Sequence, residues 1–176
     1  MARQAIRHEG DKAETVFLSL VGPSRKSTNS KRGDAEVHVD GEWHFVEIKE
    51  CHSNTINQVR AIKYIPLVIY SPQNAYPWLV VPPQQVVLLV STKSRGQHNE
   101  IPFECANLSL NSMPQVFWCR DDELGRRVVD AIQEGNTFDE LHTAMRELEG
   151  ELKALSANTK DKIRTLQRQM EQKHRQ

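Results

Sequence analysis

Asp34 and the triplet Glu47-Ile48-Lys49 are the residues of this chain whose types and spacing best suit chemistry. Two carboxylates can hold magnesium, which prefers oxygen ligands and keeps positions open for water and phosphate. Lys49 returns to the Glu47 side of a strand through the two-residue period, where it can hold the attacking water or a phosphate oxygen. The backbone carbonyl of Ile48 is a further candidate metal ligand. We therefore expect a site that hydrolyses phosphodiester bonds with one or two Mg²⁺ ions.

The segment that carries these residues has the pattern of a β-hairpin. Apolar and polar residues alternate from Asp34 to Lys49, and Asp40-Gly41 is a strong signal for a tight turn. The two strands of a hairpin are antiparallel, so the start of the first lies beside the end of the second. The pattern predicts that Asp34 and Glu47 are neighbours in space.

Helices and further strands are expected on both sides of the hairpin. Apolar spacing predicts a helix over 10–20 and a second helix over 54–64, where Ile56, Val59 and Ile62 recur with Lys63 at the end of the pattern. Short apolar runs predict strands over 65–70 and 78–81. Pro82 and Pro83 could open a helix that runs to Val90, or residues 86–90 could form a strand. An α/β chain with a mixed sheet follows.

Gly33-Asp34, the Glu47-Ile48-Lys49 triplet and the order helix, strand, strand, helix, strand together resemble the PD-(D/E)XK nuclease superfamily, whose best-known members are type II restriction endonucleases. The resemblance covers residues 10–70, and Gly33 stands where the motif has proline, a departure that the superfamily commonly allows. It implies a restriction-endonuclease-like core, with a mixed central sheet flanked by helices. It also implies Asp34, Glu47 and Lys49 as catalytic residues, and Asp34, Glu47 and Ile48 as metal ligands.

Two more positions follow from the same resemblance. Glu14, on the first helix, is placed where many such nucleases carry a glutamate that faces the metals. Gln58, on the helix expected after Lys49, matches a polar residue at the edge of the site in some subfamilies. An exposed helix residue without a role is the alternative at both positions.

Two polar segments are candidates for contact with nucleic acid. Cations before Asp34 suit phosphate contacts, which set affinity without reading bases. They are Lys26, Lys31 and Arg32, together with Arg25. A later loop carries the forked donors and acceptors that read base edges. Its candidates are Arg95, Gln97, His98 and Asn99. For both segments, a solvent-exposed loop without a role is the alternative.

The carboxy-terminal part of the chain is predicted to be helical. A helix over 121–133 closed by Gly135 precedes a longer one, in which apolar residues recur in steps of three and four, as in a coiled coil. The seam runs through Phe138, Leu141, Met145, Leu148, Leu152 and Leu155, and resumes at Ile163, Leu166 and Met170. We expect a nuclease core with DNA-recognition loops over 1–135 and a helical dimerisation segment over 136–176. Folding of the seam back onto the core is the alternative.

Length and composition limit the remaining possibilities. The chain has 176 residues, enough for one ordinary core and an appendage. Its 23 basic and 23 acidic residues cancel, which argues against an unselective coating of nucleic acid. Three widely spaced cysteines and the absence of a long apolar run favour a cytoplasmic protein with no membrane partner. No nucleotide cofactor is expected.

The leading hypothesis from the sequence is a homodimeric endonuclease that cuts double-stranded DNA at a short specific sequence. A structure-specific nuclease of the same superfamily, such as a Holliday-junction resolvase or a repair enzyme, is the first alternative. A coiled-coil interaction protein with a catalytically silent core is the second.

Overall fold

The computed structural model describes residues 12–137 and 139–174. Contacts divide the chain into two units, Met1–Asp139 and Glu140–Gln176. The first unit contains a mixed α/β fold, and the second contains most of one long helix. Within the described ranges, no helix is both long and apolar enough to cross a membrane.

The described elements follow one another in this order. They are α1 (12–20), β1 (Ser24–Lys26), β2 (Ala35–Val39), β3 (Glu42–Glu50), β4 (Thr55–Val59), β5 (Leu67–Tyr70), β6 (Trp78–Val81), α2 (Pro83–Ser91), β7 (Ala106–Ser109), β8 (Trp118–Cys119), α3 (Asp121–Asn136) and α4 (Asp139–His174).

Six strands form a mixed central sheet in the order β1-β2-β3-β5-β6-β8. Among the strands that the structure describes, only the β3–β5 pair is parallel, with Glu47 opposite Leu67 and Lys49 opposite Ile69. The other neighbours in this sheet are antiparallel. Strands β4 and β7 form a separate antiparallel pair.

The central sheet buries an apolar cluster on each face. One cluster joins α1 and α3 to sheet residues that include Val46 and Ile48. The other joins α2, β4 and β7 to sheet residues that include Leu67 and Ile69. Because side chains alternate along a strand, Ile48 points to the α1 face, whereas Glu47 and Lys49 share the α2 face with their register partners.

The structure confirms the predicted hairpin. Strands β2 and β3 pair antiparallel, with Ala35 opposite Val46 and Val39 opposite Glu42. The turn places Asp40 at φ 51° and Gly41 at φ 90°, the left-handed conformations that Asp-Gly favours in a two-residue turn. The predicted first helix, the strand over 78–81 and the mixed sheet are also present in the described residues, and the strand predicted over 65–70 is present as β5, which begins at Leu67. Residues 10 and 11 of the predicted first helix lie outside them.

The helix predicted over 54–64, which was to carry Gln58, is wrong. This segment instead forms β4 and a 3₁₀ turn over Ala61–Lys63. Ile56 and Val59 are both buried because the register of β4 shifts between them, where Gln58 adopts φ 56°. A bulged strand therefore reproduces the three-residue spacing of a helix.

Residues 83–90, left open between helix and strand, are helical, and Pro83 occupies the first turn of α2. Gly135 does not close α3, which continues to Asn136. A Cβ at Gly135 would lie 2.8 Å from Pro83 Cγ, so glycine permits close packing of the two helices. Its role is contact rather than helix termination.

The long helix α4 carries the predicted heptad seam. Leu148 and Leu152 are partly buried, whereas Leu155 is 62% exposed. The side chains of Phe138, Leu141, Met145, Ile163, Leu166 and Met170 lie outside the described part of the chain. Pairing of this seam with a second chain stays a prediction.

Candidate active site

Asp34 lies immediately before β2 and is fixed against β3 by backbone and side chain. Its N–H donates to the carbonyl of Val46 at 2.9 Å, which extends the hairpin ladder by one residue. Its Oδ2 accepts a hydrogen bond from the backbone N–H of Ile48 at 2.8 Å. The first carboxylate of the motif is thus bonded to the middle residue of the triplet.

Gly33 allows the backbone before Asp34 to pass close to β3. A Cβ at position 33 would lie 2.9 Å from the carbonyl oxygen of Val46 and 3.1 Å from Phe45 Cβ. Real Cβ atoms essentially never come within 3.0 Å of such an atom, so the chain would have to shift. Glycine before Asp34 has a steric reason here.

Glu47 is held between two lysines. Lys49 Nζ lies 3.1 Å from Oε1, and Lys63 Nζ lies 2.5 Å from Oε2. The side chains of Glu47, Lys49 and Lys63 are only 11%, 19% and 14% exposed. Both oxygens of the carboxylate therefore have an ammonium partner in a mostly buried setting.

Lys63 is the residue of this cluster that the sequence analysis did not assign. It ends the 3₁₀ turn after β4, where its N–H donates to the carbonyl of Arg60 at 3.2 Å. Tyr64 then adopts φ 48°, which redirects the chain toward β5. The sequence signal for Lys63 is a single cation among apolar residues just before β5. The predicted helix over 54–64 gave this cation no role.

The pKa values of the two carboxylates shift in opposite directions. Burial raises the pKa of Asp34 above its ordinary value, and the nearby charge of Glu47 raises it further. Burial acts in the same direction on Glu47, but the charge of Lys49 and the hydrogen bond from Lys63 outweigh it and lower the pKa of Glu47. The two lysines therefore stabilise the ionised form of Glu47. At Asp34, the favourable contacts do not offset the burial of the charge and the repulsion from Glu47.

The donor chemistry of the cluster fits magnesium. Asp34 and Glu47 supply hard carboxylate oxygens close enough to interact electrostatically, and the residue between Glu47 and Lys49 supplies a backbone carbonyl. A cation between the carboxylates would also relieve the repulsion that raises the pKa of Asp34. These residues would hold the ion, although Glu47 would have to release an ammonium to do so.

Glu14 does not complete a group of three acids with Asp34 and Glu47. Over residues 12–137 and 139–174, no three Asp, Glu, His or Cys side chains form a group suited to a metal ion. Helix α1 packs on the face of the sheet opposite to Glu47, and Lys26 Nζ lies 4.0 Å from Glu14 Oε2. A role of Glu14 as a metal ligand remains a prediction.

The basic segment before Asp34 is anchored by a buried carboxylate. Glu36, 2% exposed, accepts hydrogen bonds from Arg25 Nη2 at 2.5 Å and from the backbone N–H of Thr28 at 2.6 Å. Burial opposes the charge of Glu36, but the hydrogen bonds from Thr28 and the ion pair with Arg25 lower its pKa. The Arg25 guanidinium also stacks 3.9 Å above the ring of Trp43.

The predicted phosphate contacts lie on this anchored segment. Lys26, Lys31 and Arg32 are exposed. The Arg32 guanidinium lies 4.7 Å above the ring of Phe45, on the strand that carries Glu47. Glu36, which anchors the segment, is a second residue without a predicted role. The alternation of apolar and polar residues in β2 indicates only a polar position there.

The predicted base-reading loop is bonded to β4 through Gln97. Gln97 Oε1 accepts a hydrogen bond from the backbone N–H of Gln58 at 3.1 Å. The backbone N–H of Gln97 donates to the carbonyl of Cys105 at 2.8 Å. Arg95 and His98 are exposed, and His98 adopts φ 55°. Asn99 belongs to the same 3₁₀ turn, and its side chain lies outside the described part. Gln97 therefore has a structural bond, and contact of this loop with DNA stays a prediction.

The fold and the site together define a mixed α/β protein with a largely buried Asp–Glu–Lys–Lys cluster at the junction of a hairpin and a parallel strand. Comparison of the chain with protein-family models, with curated proteins and with solved structures found no match.

Proposed function

We propose that this chain is a magnesium-dependent endodeoxyribonuclease that hydrolyses phosphodiester bonds of double-stranded DNA at a short specific sequence, as type II restriction enzymes do. The observation that carries the proposal is the bond between Asp34 Oδ2 and the Ile48 N–H. It fixes one carboxylate beside the strand that presents Glu47 and Lys49 on one face.

Each residue of the cluster has a separate task in this proposal. Asp34, Glu47 and the Ile48 carbonyl would hold the metal, which would supply positive charge for the phosphoryl oxygens and the leaving oxygen. Lys49 holds the attacking water or a phosphate oxygen and favours loss of the water proton. The water oxygen forms a bond to phosphorus as the bond to the leaving oxygen breaks. The proton of the attacking water passes to solvent, and the leaving oxygen takes up a proton from a solvent water.

The exposed cations Lys26, Lys31 and Arg32 support the DNA part of the proposal. They lie within or next to the segment that leads to Asp34, and bonds from Arg25 and Thr28 to Glu36 anchor its start. Cations in this position would hold the phosphate backbone while the scissile bond lies at the carboxylates.

A structure-specific nuclease is the second candidate function. Gln97, one of the proposed base readers, already accepts a bond from Gln58. A readout loop with fewer free acceptors favours an enzyme that recognises the shape of a junction over one that reads bases.

Homodimerisation through α4 is a further part of the proposal. Leu155 is 62% exposed on the predicted seam, beside Leu148 and Leu152. Pairing of two chains would cover these side chains and would supply the two active sites needed to cut both strands of a duplex.

One experiment separates these functions. Unmethylated plasmid and a synthetic four-way junction are each incubated with the protein, once with magnesium and once with EDTA. Discrete plasmid fragments that require magnesium indicate a restriction-type enzyme, and nicking confined to the junction indicates a structure-specific one. Absence of cleavage of both substrates contradicts the nuclease proposal and leaves the interaction protein.

A further inference from the structure

Lys63 gives the cluster more positive charge than the proposed chemistry needs. One lysine, Lys49, is sufficient to hold water or phosphate, yet a second ammonium lies 2.5 Å from Glu47. Burying a lysine is unfavourable unless it is paired. The contact therefore indicates a built arrangement, in which a mostly buried ammonium is paired with the carboxylate.

The arrangement comes from an element other than the hairpin. The 3₁₀ turn that ends at Lys63 is tied to another segment, because the Ile62 N–H donates to the Phe103 carbonyl at 3.0 Å. The turn that carries Lys63 is thus held by a segment outside the hairpin. A free, exposed lysine that happened to meet Glu47 would not need such support.

The Lys63 ammonium is paired with a carboxylate oxygen that a metal ion would bind. Glu47 Oε2 bonds Lys63 and Oε1 bonds Lys49, so both oxygens are engaged by side chains of the protein. A divalent ion must displace one of them. An incoming phosphate is an anion and would attract either ammonium away from Glu47.

We propose that the Lys63 ammonium stays paired with Glu47 until a phosphate of the nucleic acid binds it instead. Metal and nucleic acid then bind cooperatively. This inference rests on the proposed function. Lys63 is a positioning residue in this scheme, since it acts through Glu47. Without nucleic acid, the site stays charge-balanced and binds metal weakly. With nucleic acid, a carboxylate oxygen becomes free for the metal.

Calcium binding tests the inference without turnover, because Ca²⁺ takes the same oxygen ligands as Mg²⁺. Isothermal titration calorimetry would compare wild-type protein with Lys63→Met, Lys63→Gln and Lys63→Arg, with and without a short mixed-sequence duplex. Lys12→Met is the matched control, because Lys12 is an exposed lysine of α1, the helix on the opposite face.

The two neutral variants should bind Ca²⁺ about tenfold more tightly than wild type in the absence of DNA. Lys63→Arg and Lys12→Met should stay within about twofold of wild type, since arginine keeps the charge and Lys12 is remote. DNA should tighten Ca²⁺ binding to wild type by a similar factor and should tighten binding to the neutral variants much less.

Equal or weaker Ca²⁺ binding by both neutral variants would overturn the inference, and so would a wild-type affinity that DNA leaves unchanged. Those results leave the nuclease proposal intact if plasmid is still cut with magnesium. Failure of every protein to bind Ca²⁺, together with no cleavage, would remove the metal site itself and the inference with it.

Discussion

Oδ2 of Asp34 accepts a hydrogen bond from the backbone N–H of Ile48 at 2.8 Å. The acceptor precedes β2 and the donor lies near the end of β3, so the bond joins the two ends of the hairpin. It holds Asp34 beside Glu47 at the cost of desolvating a carboxylate, and this cost raises the pKa of Asp34.

Asp34→Asn should stabilise the metal-free protein at neutral pH. An amide oxygen can still accept the Ile48 N–H, but it carries no charge to be buried near Glu47. Since the folded-state pKa of Asp34 is raised, its stabilising contribution is complete below the unfolded value and is lost as pH rises through the folded value. The melting temperature in EDTA should therefore exceed that of wild type at pH 8.

The gain should shrink as pH falls and disappear below about pH 3, where Asp34 is protonated in both the folded and the unfolded state. Glu42→Gln, at an exposed residue of the same hairpin, is the control and should leave the melting temperature unchanged. A lower melting temperature for Asp34→Asn at pH 8 would show that Asp34 is electrostatically satisfied.

Glu47→Gln should destabilise the fold because it leaves Lys49 and Lys63 without their anionic partner. Loss of one member of a largely buried ion pair costs about 1–3 kcal/mol once the partial exposure of the lysines is allowed for. The pKa of Glu47 is lowered, so this stability is present above the unfolded value and is lost as pH falls through the folded one.

Urea unfolding at pH 7 would measure this loss. Asp130→Asn breaks an exposed pair with Arg126 and should cost less than about 0.5 kcal/mol. A change for Glu47→Gln as small as that of the control would contradict the prediction.

Gly33→Ala should impair both folding and cleavage. The added Cβ would lie 2.9 Å from the Val46 carbonyl oxygen, which forces a shift of the segment that places Asp34. We expect a loss of about 1–3 kcal/mol in chemical denaturation and a reduced cleavage rate. Gly125→Ala has only an ordinary contact, 3.8 Å from the Leu20 carbonyl oxygen, and should be neutral or stabilising because alanine favours a helix. Wild-type stability in Gly33→Ala would refute the steric argument.

Glu36→Gln should weaken DNA binding although it removes a negative charge. The buried carboxylate holds Arg25 and Thr28, and so anchors the segment that carries Lys26 and Lys31. Fluorescence anisotropy with Ca²⁺ should show a higher dissociation constant than for wild type, at a temperature where both proteins are folded. Tighter binding, as charge alone would give, would contradict the anchoring role.

Leu155→Glu should convert a dimer into a monomer. Leu155 is the most exposed of the described seam leucines, and a carboxylate there would face its copy across a coiled coil. Sedimentation should report half the mass of wild type, whereas Ser156→Glu, at the next exposed position, should leave the mass unchanged. A wild-type chain that sediments as a monomer, or a Leu155→Glu dimer, would reject pairing through this seam.

The sequence was informative where chemistry and geometry are local. Asp40-Gly41 specifies a left-handed turn, so the hairpin and the position of Asp34 beside Glu47 could be predicted from it. The helix over 54–64 could not be rejected in advance, because the bulge at Gln58 gives Ile56 and Val59 a helical spacing. Its rejection depends on pairing with β7, which lies about fifty residues later in the chain.

The rest of the cluster depends on contacts across the chain. Lys63 reaches Glu47 only because a 3₁₀ turn replaces the expected helix, and Glu36 anchors Arg25 only because β1 pairs with β2. Neither contact has a sequence spacing that could have predicted it. The Asp34, Glu47 and Lys49 group, in contrast, follows from strand period and a short turn.

Cleavage of supercoiled plasmid by wild type and by Lys49→Ala, with magnesium and with EDTA, tests the nuclease proposal most directly. Wild type should convert the plasmid to linear fragments only with magnesium. Lys49→Ala should lose at least about a hundredfold in rate while it keeps most of its DNA affinity. Lys12→Ala, at an exposed lysine of α1, should cut at the wild-type rate. A wild-type rate in Lys49→Ala, or cleavage that persists in EDTA, would contradict the proposal.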